Sequence, residues 1–143
     1  MLCRNHSFHD IMQYMTTSKS PLNVAMWAYE IGKKALPEYS CEKSNHIYIQ
    51  PQLFALLILK QFFQEDYRGL VEVIDDFSDI KKILNLEIVP HYTTLQKASK
   101  RLLSSKRVQK LLKTTIKVAQ HIEILKKKSA ISAYLTFTIL ILL

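Results

Sequence analysis

Apolar positions along most of this chain recur every three or four residues, the period of an α-helix with one buried face. The first such stretch begins at Ser20-Pro21, where serine suits the capping position and proline the first helical one. Val24, Trp27, Ala28 and Ile31 share a face behind it, and Pro37 ends the element. Residues 38–48 lose the period and contain the turn formers Ser44 and Asn45, so they read as a loop. Pro51 opens the most apolar element, over residues 51–65. Leu53, Phe54, Leu56, Leu57, Ile58, Leu59, Phe62 and Phe63 leave almost no polar side, which predicts a central helix covered by the others. It is shorter than the ~20 residues of a membrane span, and Lys60, Gln61 and Gln64 interrupt it.

Asp66 can cap a third helix, on which Leu70, Val71, Ile74 and Phe77 form one stripe. Ser78 restarts a short helix with Ile80, Ile83, Leu84 and Leu86, and Val89-Pro90-His91-Tyr92 is a linker. Thr93-Thr94-Leu95-Gln96 has the form of a capping box, with the Gln96 amide paired to the Thr93 hydroxyl. Behind it Leu95, Ala98 and Leu102 point inward, leaving Thr94, Gln96, Lys97, Lys100 and Arg101 outward. Ser104-Ser105 is a weak point. Val108, Leu111, Leu112, Thr115, Ile116, Ala119 and Ile122 then resume the period, with Lys106, Arg107, Lys110, Lys113 and Lys117 on the remaining surface. The expected fold is all-α: a compact helical bundle with a helix-turn-helix-like arrangement around residues 66–103. Three segments follow: a loosely ordered 1–20, a helical 21–125, and a basic then apolar tail, 126–143. The uncharged, β-branched run 129–143 suits a buried strand, with a tail anchor behind Lys126–Lys128 as the alternative.

Composition agrees with this picture. The 143 residues allow one domain with a real core, and 2 Gly with 4 Pro favour long helices over a turn-rich β fold. Cys3 and Cys41 make neither a disulfide framework nor a four-ligand zinc site, and residues 1–10 carry no signal-peptide core, so a cytoplasmic location is expected. Charge changes the picture more. Of a net +8, the stretch Lys97 to Lys128 holds eleven basic residues against Glu123 alone, whereas residues 1–96 hold nine basic and eleven acidic. A field concentrated in one segment marks a binder of polyanions.

The candidate chemistry lies on that segment. A capped helix presenting Thr, Gln, Lys and Arg near its start, packed across an earlier helix, is what major-groove reading requires. Gln can bond adenine edges, Arg and Lys guanine edges, and Thr bases or phosphate. The plainer alternative is an ordinary solvated basic face. Elsewhere the residues assemble little. Cys3, His6 and His9 recur every three positions but lack a fourth ligand. Glu72, Asp75, Asp76 and Asp79 cluster, with Asp75 and Asp79 on one face if the helix is continuous, yet exposed carboxylates usually only solvate a helix. His91 and His121 have no partners at catalytic spacing; His91 is better placed to orient the linker.

Three runs, Pro51 to Lys60, Asp66-Tyr67-Arg68-Gly69, and Val89 to Lys97 followed by Arg101-Leu102, occur in an order and at spacings that resemble the N-terminal region of bacterial and archaeal insertion-sequence transposases of the DDE class. The resemblance covers residues 48–103. It implies a helical part that binds the terminal inverted repeats, followed in the family by a ribonuclease H-like domain. There two Asp and one Glu hold two divalent metals that clamp the attacking and leaving oxygens. This chain departs from the family completely at that point. No Asp follows Asp79, Glu123 is the last acid, and the neighbourhood of the family's first catalytic Asp reads Ser129-Ala130-Ile131-Ser132. No catalytic or metal-ligating residue can be carried over, and Mg²⁺ is expected only for the full-length family.

The expected function is recognition of double-stranded DNA at transposon ends by a truncated transposase. Thr94 and Gln96 would read bases, Lys97, Lys100 and Arg101 would contact phosphate or bases, and Lys106, Arg107, Lys110 and Lys113 would add backbone affinity. Partners would be that DNA and either a second copy or full-length transposase. Two alternatives stay open: a remnant or inhibitory interaction protein pairing with full-length transposase, and a small basic membrane-associated protein. Incubation of the chain with inverted-repeat DNA and Mg²⁺ or Mn²⁺ is expected to give no nicking above a vector-only control on a denaturing gel.

Overall fold

A computed structural model of the chain describes residues 20–43 and 46–121; the segments 1–19, 44–45 and 122–143, with the Cys3/His6/His9 spacing, Lys126–Lys128 and the apolar tail, lie outside the described residues. Within them the protein is all-helical: α1 (Pro21–Ala35), α2 (Gln50–Phe63), α3 (Tyr67–Asp76), α4 (Ser78–Ile83), α5 (Tyr92–Leu102) and α6 (Ser105–His121).

α2 forms the axis. Every residue from Leu53 to Leu59 is buried, so no direction around the helix faces water. A helix apolar on all sides must be enclosed, and α1, α3 and α5 all pack against it. α1 contributes Val24, Trp27, Ala28 and Ile31, the face its spacing predicts. α1 reaches α2 closely at Gly32. A Cβ there would lie 3.0 Å from the Pro51 Cα, 3.2 Å from its Cβ and 3.3 Å from a Phe54 ring carbon. Pro51 is rigid backbone, so the two helix axes can approach this far only over hydrogen. α1 stops at Ala35 because Leu36, ahead of Pro37, is extended; its N–H donates to the Gly32 carbonyl (2.8 Å).

α2 begins one residue before the proline, at Gln50, and the reciprocal half of its cap is a glutamine. Gln52 is buried, and its side chain serves three backbone groups at once. Its Oε1 accepts from the Ile49 N–H (2.9 Å), while its Nε2 donates to the carbonyls of Leu84 and Asn85 (3.0 Å each). The start of α2 is thereby fastened to the end of α4. Asn85 stands there at φ 52°, a left-handed conformation that asparagine tolerates and that turns the chain back after α4.

α3 starts as expected, with Asp66 accepting from the Gly69 N–H (2.6 Å). It ends sooner. Phe77 adopts φ −91°, ψ 81° and breaks the helix, and its ring is 43% exposed rather than part of the core stripe. Consequently Asp75 and Asp79 belong to different helices. α4 is a single short turn-and-a-half whose last apolar residues, Leu84 and Leu86, are buried in the turn beyond it. α3 touches both α4 and α5, and α6 lies back on α1.

Among the described residues no helix is long and apolar enough to cross a membrane. Replacing Gln52 by Leu strands one donor and two acceptors. Urea unfolding is expected to report a loss of about 2–3 kcal/mol with an unchanged m value. Gln52→Glu, which keeps the acceptor but turns an oxygen toward two carbonyls, should cost at least as much.

Candidate nucleic-acid interface

The residues expected to contact DNA lie on α5 and α6. α5 begins at Tyr92, two residues earlier than the capping-box reading requires. Thr93 is inside the helix, not at its cap, so the Thr93/Gln96 box does not form. His91 caps instead. Its Nδ1 receives the Thr93 N–H at 3.5 Å and lies 2.9 Å from the Thr93 hydroxyl. The imidazole does the work of the expected hydroxyl because it precedes the first helical residue, where a side-chain acceptor can turn back onto the free amides. Arg68, in the first turn of α3, stacks its guanidinium 4.8 Å from the centre of the Tyr92 ring, tying the beginnings of α3 and α5 together.

Leu95, Ala98, Ser99 and Leu102 are the buried face of α5. At 100° per residue Lys97 and Lys100 fall on the far side, with Gln96 beside Lys100, and all three are exposed. Thr94 and Arg101 share the other flank and are half-buried. Both line a cleft of 210 Å³ against the preceding loop, together with His46, Tyr48 and Gln50. The Arg101 Nε is buried without a hydrogen-bond partner. These two residues therefore do not project outward, as the spacing alone implied. Helical period separates inward from outward; it is blind to a loop lying along one flank.

α6 repeats the pattern more cleanly. Val108, Leu111 and Thr115 are buried, the Thr115 hydroxyl donating to the Leu111 carbonyl (2.9 Å). Lys106, Lys110, Lys113 and Lys117 recur at intervals of four, three and four, almost diametrically opposite the buried stripe, and all are exposed. Ile116, expected to continue the inward face, is 44% exposed; at 100° per residue it falls beside the stripe of Val108, Leu111 and Thr115 and not on it. Arg107 differs from its neighbours. It is half-buried, and its Nη1 donates to the Arg101 carbonyl (3.2 Å), closing the α5–α6 joint that Ser104 opens.

Electrostatically this surface is unlike the rest. The ion pairs among the described residues are Lys33–Glu30, Lys81–Asp75 and Lys82–Asp79, all in α1, α3 and α4. From Lys97 to Lys117 no acidic residue occurs, and the exposed lysines there have no carboxylate partner among the described residues. Like charges on one face repel, so such an arrangement is relieved by an external anion. No group of three or more metal-ligating side chains occurs among the described residues; Asp75 and Asp79 are engaged by lysines.

No protein-family model, no curated protein and no solved structure matches the chain. The chemistry of the face is thus read from its own charge, burial and spacing.

Arg107 and Lys110 separate a structural cation from a solvated one. Arg107→Ala is expected to lower stability by about 1 kcal/mol in urea unfolding, whereas Lys110→Ala should leave it within about 0.5 kcal/mol.

Proposed function

We propose that the chain binds double-stranded DNA through α5 and α6, as the end-recognising part of an insertion-sequence transposase without the cutting apparatus. The observation that carries this reading is the double row of exposed, unneutralised lysines: Lys97 and Lys100 on α5, and Lys106, Lys110, Lys113 and Lys117 on α6. Both rows lie opposite the buried stripes of their helices, so each stands on a backbone held by the core. Rigid, closely spaced cations suit the regular negative charge of a duplex, whose neutralisation releases condensed counterions.

Within that reading α3, α4 and α5 act as a helix-turn-helix-like unit. α5 enters the major groove, α3 supports it from behind, and Arg68 with Tyr92 fixes their relative placement. Gln96 is the exposed residue able to bond an adenine edge bidentately, with Lys97 and Lys100 beside it for guanine or phosphate. Thr94 and Arg101, turned toward the loop, serve at the margin of the groove and not at its floor. Lys106, Lys110 and Lys113 follow phosphates, while Arg107 holds the joint. The resemblance of residues 48–103 to the transposase N-terminal region adds the target: the inverted repeats at transposon ends. Such a protein works in the cytoplasm of the cell whose DNA it reads.

Band shifts with an inverted-repeat duplex and a scrambled duplex test the proposal across a salt series. Each of Lys106→Ala, Lys110→Ala and Lys113→Ala should weaken both duplexes alike and flatten the log–log salt slope by about 0.9. Gln96→Ala should weaken only the specific duplex, by about 1–3 kcal/mol. Absence of any shift at low salt, with self-association retained, would instead favour an interaction protein that pairs with full-length transposase.

A further inference from the structure

A cleft of 610 Å³ opens where α1, the 36–49 segment and the turn after α4 meet, and no residue of α5 or α6 lines it. Its volume is that of a ligand site, within the range of about 300–1,000 Å³. Three tyrosines, Tyr29, Tyr39 and Tyr48, wall it. His46 leans on Tyr39 with ring centres 4.1 Å apart and is held at φ 49°, its ring also 3.1 Å from the Glu42 carbonyl. Glu38 and Glu87 also line the cleft, and neither has an ion-pair partner among the described residues. Ile47 and Ile88 complete it. At 64% and 67% exposure they are the most exposed large apolar side chains among the described residues.

The chemistry is selective. Carboxylates beside the opening repel phosphate, so the cleft is no extension of a polyanion surface. A purely apolar occupant would desolvate those carboxylates without replacing their water. A cation with an apolar stem satisfies both needs, because tyrosine faces attract cations and the carboxylates complete the charge. The Tyr29 ring already shows the first effect: the Lys33 Nζ lies 4.5 Å from its centre. Of the two acids, Glu38 is felt at the same ring. Burial holds the Tyr29 hydroxyl above its ordinary pKa; Lys33 opposes the shift, and Glu30 and Glu38 add to it.

We propose that this cleft docks a lysine- or arginine-bearing segment of a partner protein, one cationic side chain entering between the tyrosines beside Glu38 and Glu87 while its aliphatic neighbours rest on Ile47 and Ile88. The two isoleucines distinguish a peptide from a free amine. A small amine would fill the polar interior and leave them in water. The cleft and the lysine rows thus address opposite charges, and the assignment is independent of DNA binding.

The test uses the whole chain labelled at its isoleucine methyls, titrated in parallel with three probes: acetyl-leucine-lysine-leucine-lysine-leucine amide, the same peptide with glutamine for lysine, and n-butylammonium chloride. The lysine peptide should shift the Ile47 and Ile88 methyls with a Kd of about 10⁻⁴ M, and the other two probes should bind at least about tenfold more weakly. Glu38→Gln with Glu87→Gln should weaken the lysine peptide by about the same factor. The signals of buried Ile31, Ile58 and Ile74 report that the double variant keeps its fold. No shift at Ile47 and Ile88 up to about 5 mM lysine peptide, equal binding of the glutamine peptide, equal binding by the double variant, or shifts confined to Ile116 would each overturn the proposal. Butylammonium binding as tightly as the peptide would replace the protein partner by a small amine and overturn it as well.

Discussion

The burial of α2 on every side constrains everything else in this protein. A helix that keeps one polar face can lie at a surface; one enclosed from Leu53 through Leu59 cannot. Its neighbours must therefore be amphipathic and must come from several directions, which is how α1, α3 and α5 are composed. Gly32 lets α1 approach α2 closely enough to take part in that enclosure. The polar faces left over then have no freedom of placement. Once Leu95, Ala98 and Leu102 of α5 face inward, Lys97 and Lys100 must face out.

A buried helix leaves the problem of its ends, where backbone groups lose their helical partners. Gln52 meets that problem with one amide placed between two elements, accepting at the start of α2 and donating at the end of α4. The turn that follows α4 is therefore set by a residue thirty-two positions earlier in the chain. His91 and Asp66 meet it locally, each turning back on amides of its own helix. Long-range and local caps have different consequences. A local cap fixes where a helix begins; Gln52 also fixes which helix lies next to it.

The helices themselves were legible in the sequence, because one-sided burial writes a period of three to four into the residues. The Ser20-Pro21 start, the Asp66 cap, the Ser104 break and the all-apolar α2 could each be read without structure. What escaped were the features that depend on geometry between elements. The sequence Thr-Thr-Leu-Gln matches a capping box, but the helix starts at Tyr92, so the local motif was outcompeted by His91. Phe77 matches the stripe of α3, but the chain turns before it. Thr94 and Arg101 match the outward face, but the loop before α2 lies along that flank. The aromatic cleft has no linear signature at all: Tyr29, Tyr48 and Glu87 come from three distant stretches and meet only through folding.

The regularity of α6 has a further consequence, in length. From Lys106 to Lys117 the helix advances eleven residues, about 16 Å along its axis at 1.5 Å each. A B-form strand advances about 3.4 Å per phosphate, so the row is as long as about five successive phosphates. It also exceeds the major-groove width of about 12 Å. The row thus equals a run of phosphates in length and opposes it in sign, with its four ammonium groups spaced more widely, about 5.5 Å apart. A flexible polylysine of equal charge would bind as strongly only after losing the freedom that α6 gave up on folding.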